Sequence, residues 1–288
     1  MANTRSVLVT GASSGIGRAI AVDLAAAGLQ VFGSVRGEPD AQALQDATPA
    51  DALPIRALLF DVQDRDSIDA AAAELTELLG DEGLTALINN AGISIAGPLE
   101  YLPEEAFQKQ IDVNLTGVLR CVQAFMPLLK IARGRIVNIS SMSGRVGFPM
   151  VGAYSTSKYA LEGLSDSLRL ELKVHGMEVS VVQPGSMATP IWQRSRQRAE
   201  EIMKQIPERG RKEYSQMISQ ALATTESNGE ESADPQLCAD VVRHAVLAKR
   251  PRTRYAVGTD AKRLLFLRRW LLSDRMLDKL ILRNLGLQ

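Results

Sequence analysis

The sequence predicts an α/β fold: one parallel sheet with helices on both faces. Three observations predict it. Short apolar runs recur at Val7 to Val9, Val31 to Val35, Ala57 to Phe60, Ala86 to Ile88, Ile136 to Ile139, Val179 to Val182 and Tyr255 to Val257, and they read as fully buried strands. Between them lie stretches of helical period, such as Ile68, Ala71, Ala72, Leu75, Leu78 and Leu79, and later Leu161, Leu164, Leu168 and Leu172. Regular alternation of strand and helix requires right-handed crossovers, which give either an open, doubly wound sheet or a closed barrel. The third observation, a glycine-rich loop after the first strand, selects the open sheet.

With 288 residues, 45% of them hydrophobic, the chain can bury one large core. Its 33 Lys and Arg balance 33 Asp and Glu, so no electrostatic argument favours nucleic acid as a partner. Cys121 and Cys238 are too few and too far apart for a disulfide framework or a metal-ligand spacing. No metal is expected, and a reducing compartment, the cytoplasm, is the simpler reading. Met1 to Val9 lacks the zones of a signal peptide. The longest uncharged runs, near Gly83 to Leu99 and Val179 to Gln193, carry Asn89, Asn90, Pro98, Pro184 and Pro190, which suit strand-to-loop junctions rather than a membrane span.

There is no internal repeat, and a single domain over residues 1–288 is expected. Within it, 190–233 reads as an inserted lid, where Ile191, Trp192, Ile202, Met203, Ile206, Met217 and Ile218 punctuate charged residues at helical spacing. Thr224 to Asp234 is polar and reads as a solvated loop, and 259–288 reads as a C-terminal helical extension.

The first loop runs Thr10-Gly11-Ala12-Ser13-Ser14-Gly15-Ile16-Gly17 between a strand and a helix. Glycines permit a tight turn and close backbone approach, so amides at the helix N-terminus can face a pyrophosphate while the helix dipole favours its charge. The spacing is Gly-x-x-x-Gly-x-Gly, not the Gly-x-Gly-x-x-Gly of the usual Rossmann fingerprint. Further on, Tyr154 and Lys158 are four residues apart at the start of a strongly periodic helix, on one face. A free tyrosine is a poor acid-base catalyst near neutrality, and a fixed cation beside it would move its pKa down towards the working range.

The loop resembles the Thr-Gly-x-x-x-Gly-x-Gly signature of the short-chain dehydrogenase/reductase family, and further elements match in order. Asp61-Val62 resembles the family's adenine-contacting pair, and Asn89-Asn90-Ala91-Gly92 matches its Asn-Asn-Ala-Gly element. Pro184-Gly185 with Thr189 resembles the segment at the nicotinamide end. The resemblance covers about Ser6 to Thr189 and is looser beyond. It implies a Rossmann-type sheet holding a nicotinamide dinucleotide on Gly11, Ser13, Ser14, Gly15, Ile16 and Gly17, then on Asp61, Val62, Asn90, Ala91, Gly92, Pro184, Gly185 and Thr189. It implies Tyr154 as proton donor or acceptor for the substrate oxygen, and Lys158 as a further bond to the nicotinamide ribose. Ser141 would orient the carbonyl, with Ser140 as its competitor, and Asn114 would hold a proton-relay water. Without the family match, Asn114 reads as a polar residue interrupting a packed helix.

The second strand ends without the acid expected to grip a ribose 2′-hydroxyl, and Arg36 follows, able to pair with a 2′-phosphate. NADP(H) is therefore expected over NAD(H), although Glu38 and Asp40 could take the acidic role if the loop folded back. Within the family the chain looks most like the hydroxysteroid and retinol dehydrogenase branch, which implies a lipophilic alcohol or carbonyl substrate. Gly144 to Val151, Ile95 and Trp192 would wall its pocket. The rivals are a 3-oxoacyl carrier-protein reductase and a redox sensor that binds NADP(H) without turnover. The basic amphipathic tail from Thr259 to Gln288 reads either as a peripheral membrane contact or as a cap on the pocket or sheet. In the family, helices corresponding to Phe107 to Leu129 and Tyr154 to Leu172 commonly pair copies of the chain, so a homodimer or homotetramer is implied.

Overall fold

The computed structural model describes residues 5–287, with the side chains of 224–231 outside that description. Seven strands form one sheet: β1 (Ser6–Val9), β2 (Gln30–Val35), β3 (Arg56–Leu59), β4 (Ala86–Asn89), β5 (Arg135–Ile139), β6 (Glu178–Pro184) and β7 (Arg254–Val257). Every neighbouring pair is parallel and the order is β3-β2-β1-β4-β5-β6-β7, an open, doubly wound arrangement. The sequence places each strand to within a residue or two.

Side-chain alternation along the strands feeds two cores. Val7 and Val9 join the layer under α1 (Gly15–Ala26), α2 (Glu38–Gln45) and α10 (Gln236–Leu247), while Leu8 joins the opposite layer. That second layer packs α3 (Arg65–Leu79), α5 (Gly117–Ala132) and α6 (Gly152–Lys173). Cys121 and Cys238 are both free and buried, one in each layer, so the sheet itself separates them. In α3, Ile68, Ala71, Ala72, Leu75 and Leu79 are buried, but Leu78, at the edge of the same stripe, is exposed.

α4 (Glu104–Ile111), a π-helical turn at Asp112–Thr116 and α5 form one continuous helix, Glu104–Ala132. It is 29 residues long with a mean hydropathy of 1.4 in its most apolar window, enough by length and composition to cross a membrane. Its apolar face is spent on the sheet: Cys121, Val122, Phe125, Leu128 and Leu129 are buried in the second core.

Two sequence expectations need correcting. β3 and β7 are not fully buried strands: they are the two sheet edges, with Leu58 buried and Leu59 exposed in β3, and with Ala256 only half-buried between Tyr255 and Val257 in β7. Only interior strands are covered on both faces along their length. Thr224 to Asp234 is not a loop through most of its length, because α9 (Ser215–Glu231) continues through it. A helix already nucleated propagates cheaply into polar residues, and polarity reports solvation rather than backbone conformation.

Between β6 and α10 the chain forms α7 (Ile191–Gln205), α8 (Glu208–Glu213) and α9. Ile202 and Ile206 of this insertion bury against Ile95. After β7 come α11 (Thr259–Trp270) and α12 (Asp274–Asn284), whose Leu277 and Ile281 bury Val146. Phe125, fully buried and 6.1 Å from the Phe60 ring, sits deep in the second core. Phe125→Ala should cost about 3–5 kcal/mol in chemical denaturation, whereas the exposed Phe266→Ala should cost about 0.5 kcal/mol or less.

Candidate active site

The sheet order reverses at β1, where open α/β sheets form a crevice beyond the strand ends. The glycine loop stands on one side of it. Gly11 has φ +66°, and a Cβ there would come within 2.9 Å of the Ala91 Cα, so loop and β4 segment touch through bare backbone. At Gly17 a Cβ would lie 2.3 Å from the Gly11 carbonyl oxygen, which only glycine avoids. Ser14 caps α1 with no side-chain hydrogen bond, and the first turn carries no acid. The positive end of α1 is thus left for an external anion, and the loop fits a dinucleotide phosphate.

Thr10 and Asn90 tie the two loops together. The Thr10 hydroxyl accepts from the backbone N–H of Asn90 and of Ala91, each at 3.0 Å, and Asn90 Nδ2 donates to the carbonyls of Thr10 (2.9 Å) and Gly11 (3.1 Å). The Asn90 side chain therefore acts as a strut. Gly92 follows beside Asn114, while Val62 packs against Gly117. Asp61 Oδ1 accepts from the Gln63 N–H at 2.9 Å, and its Oδ2 lies 4.0 Å from Arg36 Nη1. Glu38 and Asp40 stand in the first turn of α2, where they complement its dipole.

The proton-transfer candidates meet at the ends of β4 and β5. Ser141 opens the short turn Met142–Gly144, its Oγ accepting from the Ser143 N–H at 3.1 Å, and its side chain interacts with the Tyr154 phenol. Ser140 points elsewhere: its buried hydroxyl faces Gly144 and has no hydrogen-bond partner. Lys158 is buried, donates to the Ile139 carbonyl at 2.8 Å, and holds its Nζ 5.7 Å from the Tyr154 ring centroid. Asn114, also buried, lies in the π-helical turn, a bulge common at functional sites. Its Oδ1 accepts from the Ile93 N–H (2.9 Å), and its Nδ2 donates to the Ile93 carbonyl (3.0 Å) and to Ser157 Oγ (3.1 Å). Ser157 in turn donates to the Tyr154 carbonyl at 2.7 Å. Both amide hydrogens of Asn114 are spent on positioning.

The electrostatics differ from expectation. Burial pushes the Tyr154 phenol up, with the Ser141 hydroxyl working against that rise, so the net direction in the empty site is upward. Burial also pushes Lys158 down to about 8, opposed by the Glu162 carboxylate. Glu162 is a residue that the sequence analysis passed over, although it sits one turn beyond Lys158 on the same face. Buried itself, it accepts from Gln183 Nε2 at 2.9 Å and from Arg254 Nε at 2.8 Å, and Arg254 also reaches Asp166 at 2.7 Å.

Gly185 follows β6 with room only for hydrogen, because Asp260 occupies the space a Cβ would take; the Asp260 carboxylate also accepts from the Ser186 N–H at 2.8 Å. Pro184 pairs with Val257 in the sheet. Thr189 and Pro190 lie against Gly15, closing the crevice from the far side. The proposed apolar wall divides: Ile95 packs under the insertion, but Val146 is buried against α12 rather than facing the crevice. Trp192 donates its Nε1–H to the Met187 carbonyl at 2.8 Å. Among the described residues no group of three or more His, Cys, Asp or Glu could hold a metal.

Residues 5–200 match the family model described as short chain dehydrogenase. The chain is 33% identical over 287 residues to the NADPH-dependent 3-dehydrocapnine reductase of Ornithobacterium rhinotracheale, covering 98% of this chain and 97% of the relative. It is 38% identical over 261 residues to human 17-beta-hydroxysteroid dehydrogenase type 6, covering 89% and 81%. A crystal structure of a short-chain dehydrogenase from Streptomyces avermitilis superposes with a TM-score of 0.74 at 29% identity, covering 91% of each chain.

The lowered pKa of Lys158 has a sign that can be checked. Between about 8 and the ordinary lysine value of 10.5 the unfolded chain holds a proton that the folded chain has lost, so this group makes stability rise with pH across that window and adds no slope below it. Glu162→Gln removes the charge that supports the ammonium. The alkaline limb of the kcat/KM profile should then move about one unit towards acid, and an unmoved limb would show that Glu162 is merely structural.

Proposed function

This chain belongs to the short-chain dehydrogenase/reductase family, in its hydroxysteroid and retinol dehydrogenase branch, and on that premise we propose an NADP(H)-preferring enzyme that interconverts a lipophilic alcohol with its ketone or aldehyde. The coarser activity follows from membership: an NAD(P)-dependent oxidoreductase acting on CH–OH groups. The observation that carries the finer reading is the convergence of Ser141, Tyr154 and Lys158 beside a glycine loop whose helix N-terminus receives no side-chain capping bond.

When bound, a nicotinamide supplies or takes the hydride. The protein's part is binding, orientation and one proton. The backbone of Ser13 to Gly17 would receive the pyrophosphate, with Asp61, Val62, Ala91 and Gly92 along the adenosine side and Pro184, Gly185 and Thr189 towards the nicotinamide. Tyr154, held as a neutral phenol by its burial, gives its proton to a carbonyl oxygen in reduction and recovers it from a hydroxyl in oxidation. Ser141 offers a hydrogen bond to the same oxygen. Lys158, a cation below about pH 8, stabilises the phenolate left behind and reaches the ribose. Asn114 sets the position of the Tyr154 helix through Ser157.

NADP(H) is supported by Arg36 at the β2 end and by the relative whose name states NADPH dependence. A lipophilic substrate is supported by the likeness to a hydroxysteroid dehydrogenase and by Ile202 and Ile206 packing on Ile95 under the amphipathic helices of residues 190–233, which we take as a lid on the single domain. In the tail, Leu277 and Ile281 cap Val146, while Phe266, Trp270, Leu271 and Met276 are exposed among arginines and suit a peripheral contact with an anionic membrane. Leu119 on α5 and Tyr159 and Leu170 on α6 are exposed apolar groups that favour pairing with a second copy. Two free, buried cysteines fit a reducing cytoplasm.

The test follows NADPH and NADH oxidation with steroid, retinoid, acyl-thioester and aryl carbonyls. Turnover should prefer NADPH and a steroid or retinoid, and Tyr154→Phe should lower kcat by about a thousandfold or more while NADPH still binds. Preference for the acyl thioester would favour the carrier-protein reductase. Wild-type binding of NADPH without turnover of any carbonyl would favour a sensor.

A further inference from the structure

α7 crosses directly over the phosphate loop. It starts after Thr189-Pro190, which pack on Gly15, and in its first turn Arg194 sends Nη1 to 3.5 Å from Ser14 Oγ. One turn later, on the same face, stands the half-buried Arg198. Other cations of the insertion are paired within their own helices: Arg196 with Glu200 in α7, and Arg209 with Glu213 and Lys212 with Glu208 in α8, at 2.7–3.3 Å. Arg194 instead reaches Ser14 at the start of α1, and Arg198, half-buried, lies within electrostatic reach of both Arg194 and Arg36. We infer that Arg194 and Arg198 form, with Arg36, a three-arginine clamp by which the inserted helix itself selects the 2′-phosphate of NADP(H).

The inference rests on the reading that a dinucleotide occupies the glycine loop, and it goes beyond the arginine at the strand end by assigning selectivity to the lid. Assembling like charges is costly unless an anion joins them. Burial first, then Arg194, then Arg36 all lower the pKa of Arg198, with Glu201 opposing. Asp61 lies 4.0 Å from Arg36, and Glu38 and Asp40 follow that arginine in the first turn of α2. A pyrophosphate already has the loop amides and the α1 dipole, so the surplus of positive charge suits an additional phosphate monoester. Guanidinium forks bind such a group with charge-assisted bonds.

Calorimetric titration of the full chain with NADPH, NADH, 2′,5′-ADP and 5′-ADP tests this without turnover. Arg198→Gln and Arg194→Ala should each weaken NADPH and 2′,5′-ADP about tenfold or more, while NADH and 5′-ADP change less than about twofold. Ligand-free melting curves check folding, and the exposed Arg194 carries the test if Arg198→Gln does not fold. Unchanged NADPH affinity in Arg194→Ala and in a folded Arg198→Gln overturns the inference, as does an equal loss for NADPH and NADH, which would place these residues on the pyrophosphate. A wild-type chain that binds neither dinucleotide overturns the cofactor reading itself, and with it the inference.

Discussion

At β1 the sheet has β2 on one side and β4 on the other, and the loops that leave β1 and β4 would diverge were they not clasped by Thr10 and Asn90. The crevice depends on that clasp. It lays Ala91 beneath Gly11 and leads the β4 loop on to Ile93, from which a hydrogen-bond chain passes through Asn114 and Ser157 to the backbone of Tyr154. Phosphate loop and phenol are thus connected by directional bonds outside the apolar core. Packing alone tolerates small slips, whereas a chain of this kind fixes relative position.

A second network sets charge rather than position. Lys158 is followed one turn later by Glu162, which is held by Gln183 of β6 and Arg254 of β7, and Arg254 is held in turn by Asp166. A lone buried ammonium would shed its proton; here a fully partnered carboxylate opposes that loss. The same helix face also receives a neutral ladder, in which Asn89 donates to Asn138 and Asn138 to Ser165. The ladder accounts for Asn138 and for the Asn89 amide nitrogen inside otherwise apolar strands.

Much of this was legible in the residues. The strands were, because interior parallel strands are apolar on both faces; β3 and β7 misled because an edge is covered on fewer sides. The motif residues could be read because glycine geometry and the Tyr-Lys spacing are local properties. What could not be read depends on tertiary placement. Glu162 shares a helix face with Lys158, but its partners Gln183 and Arg254 come from distant strands. Val146 looked like a pocket wall until α12 was seen to cover it. The direction of the Tyr154 pKa followed from burial, which no spacing reports.

The contact between Val146 and α12 also orders events in time. Its two sides are more than a hundred residues apart in the chain, and β6, the lid helices and β7 all lie between them. On a ribosome adding 5–20 residues per second, Leu277 and Ile281 emerge on the order of ten seconds after Val146. The glycine loop and β1 to β5 are complete well before that. During synthesis, therefore, the nascent chain can assemble its nucleotide-facing half while the segment leading into Tyr154 remains uncovered, and the α12 cover is laid down last.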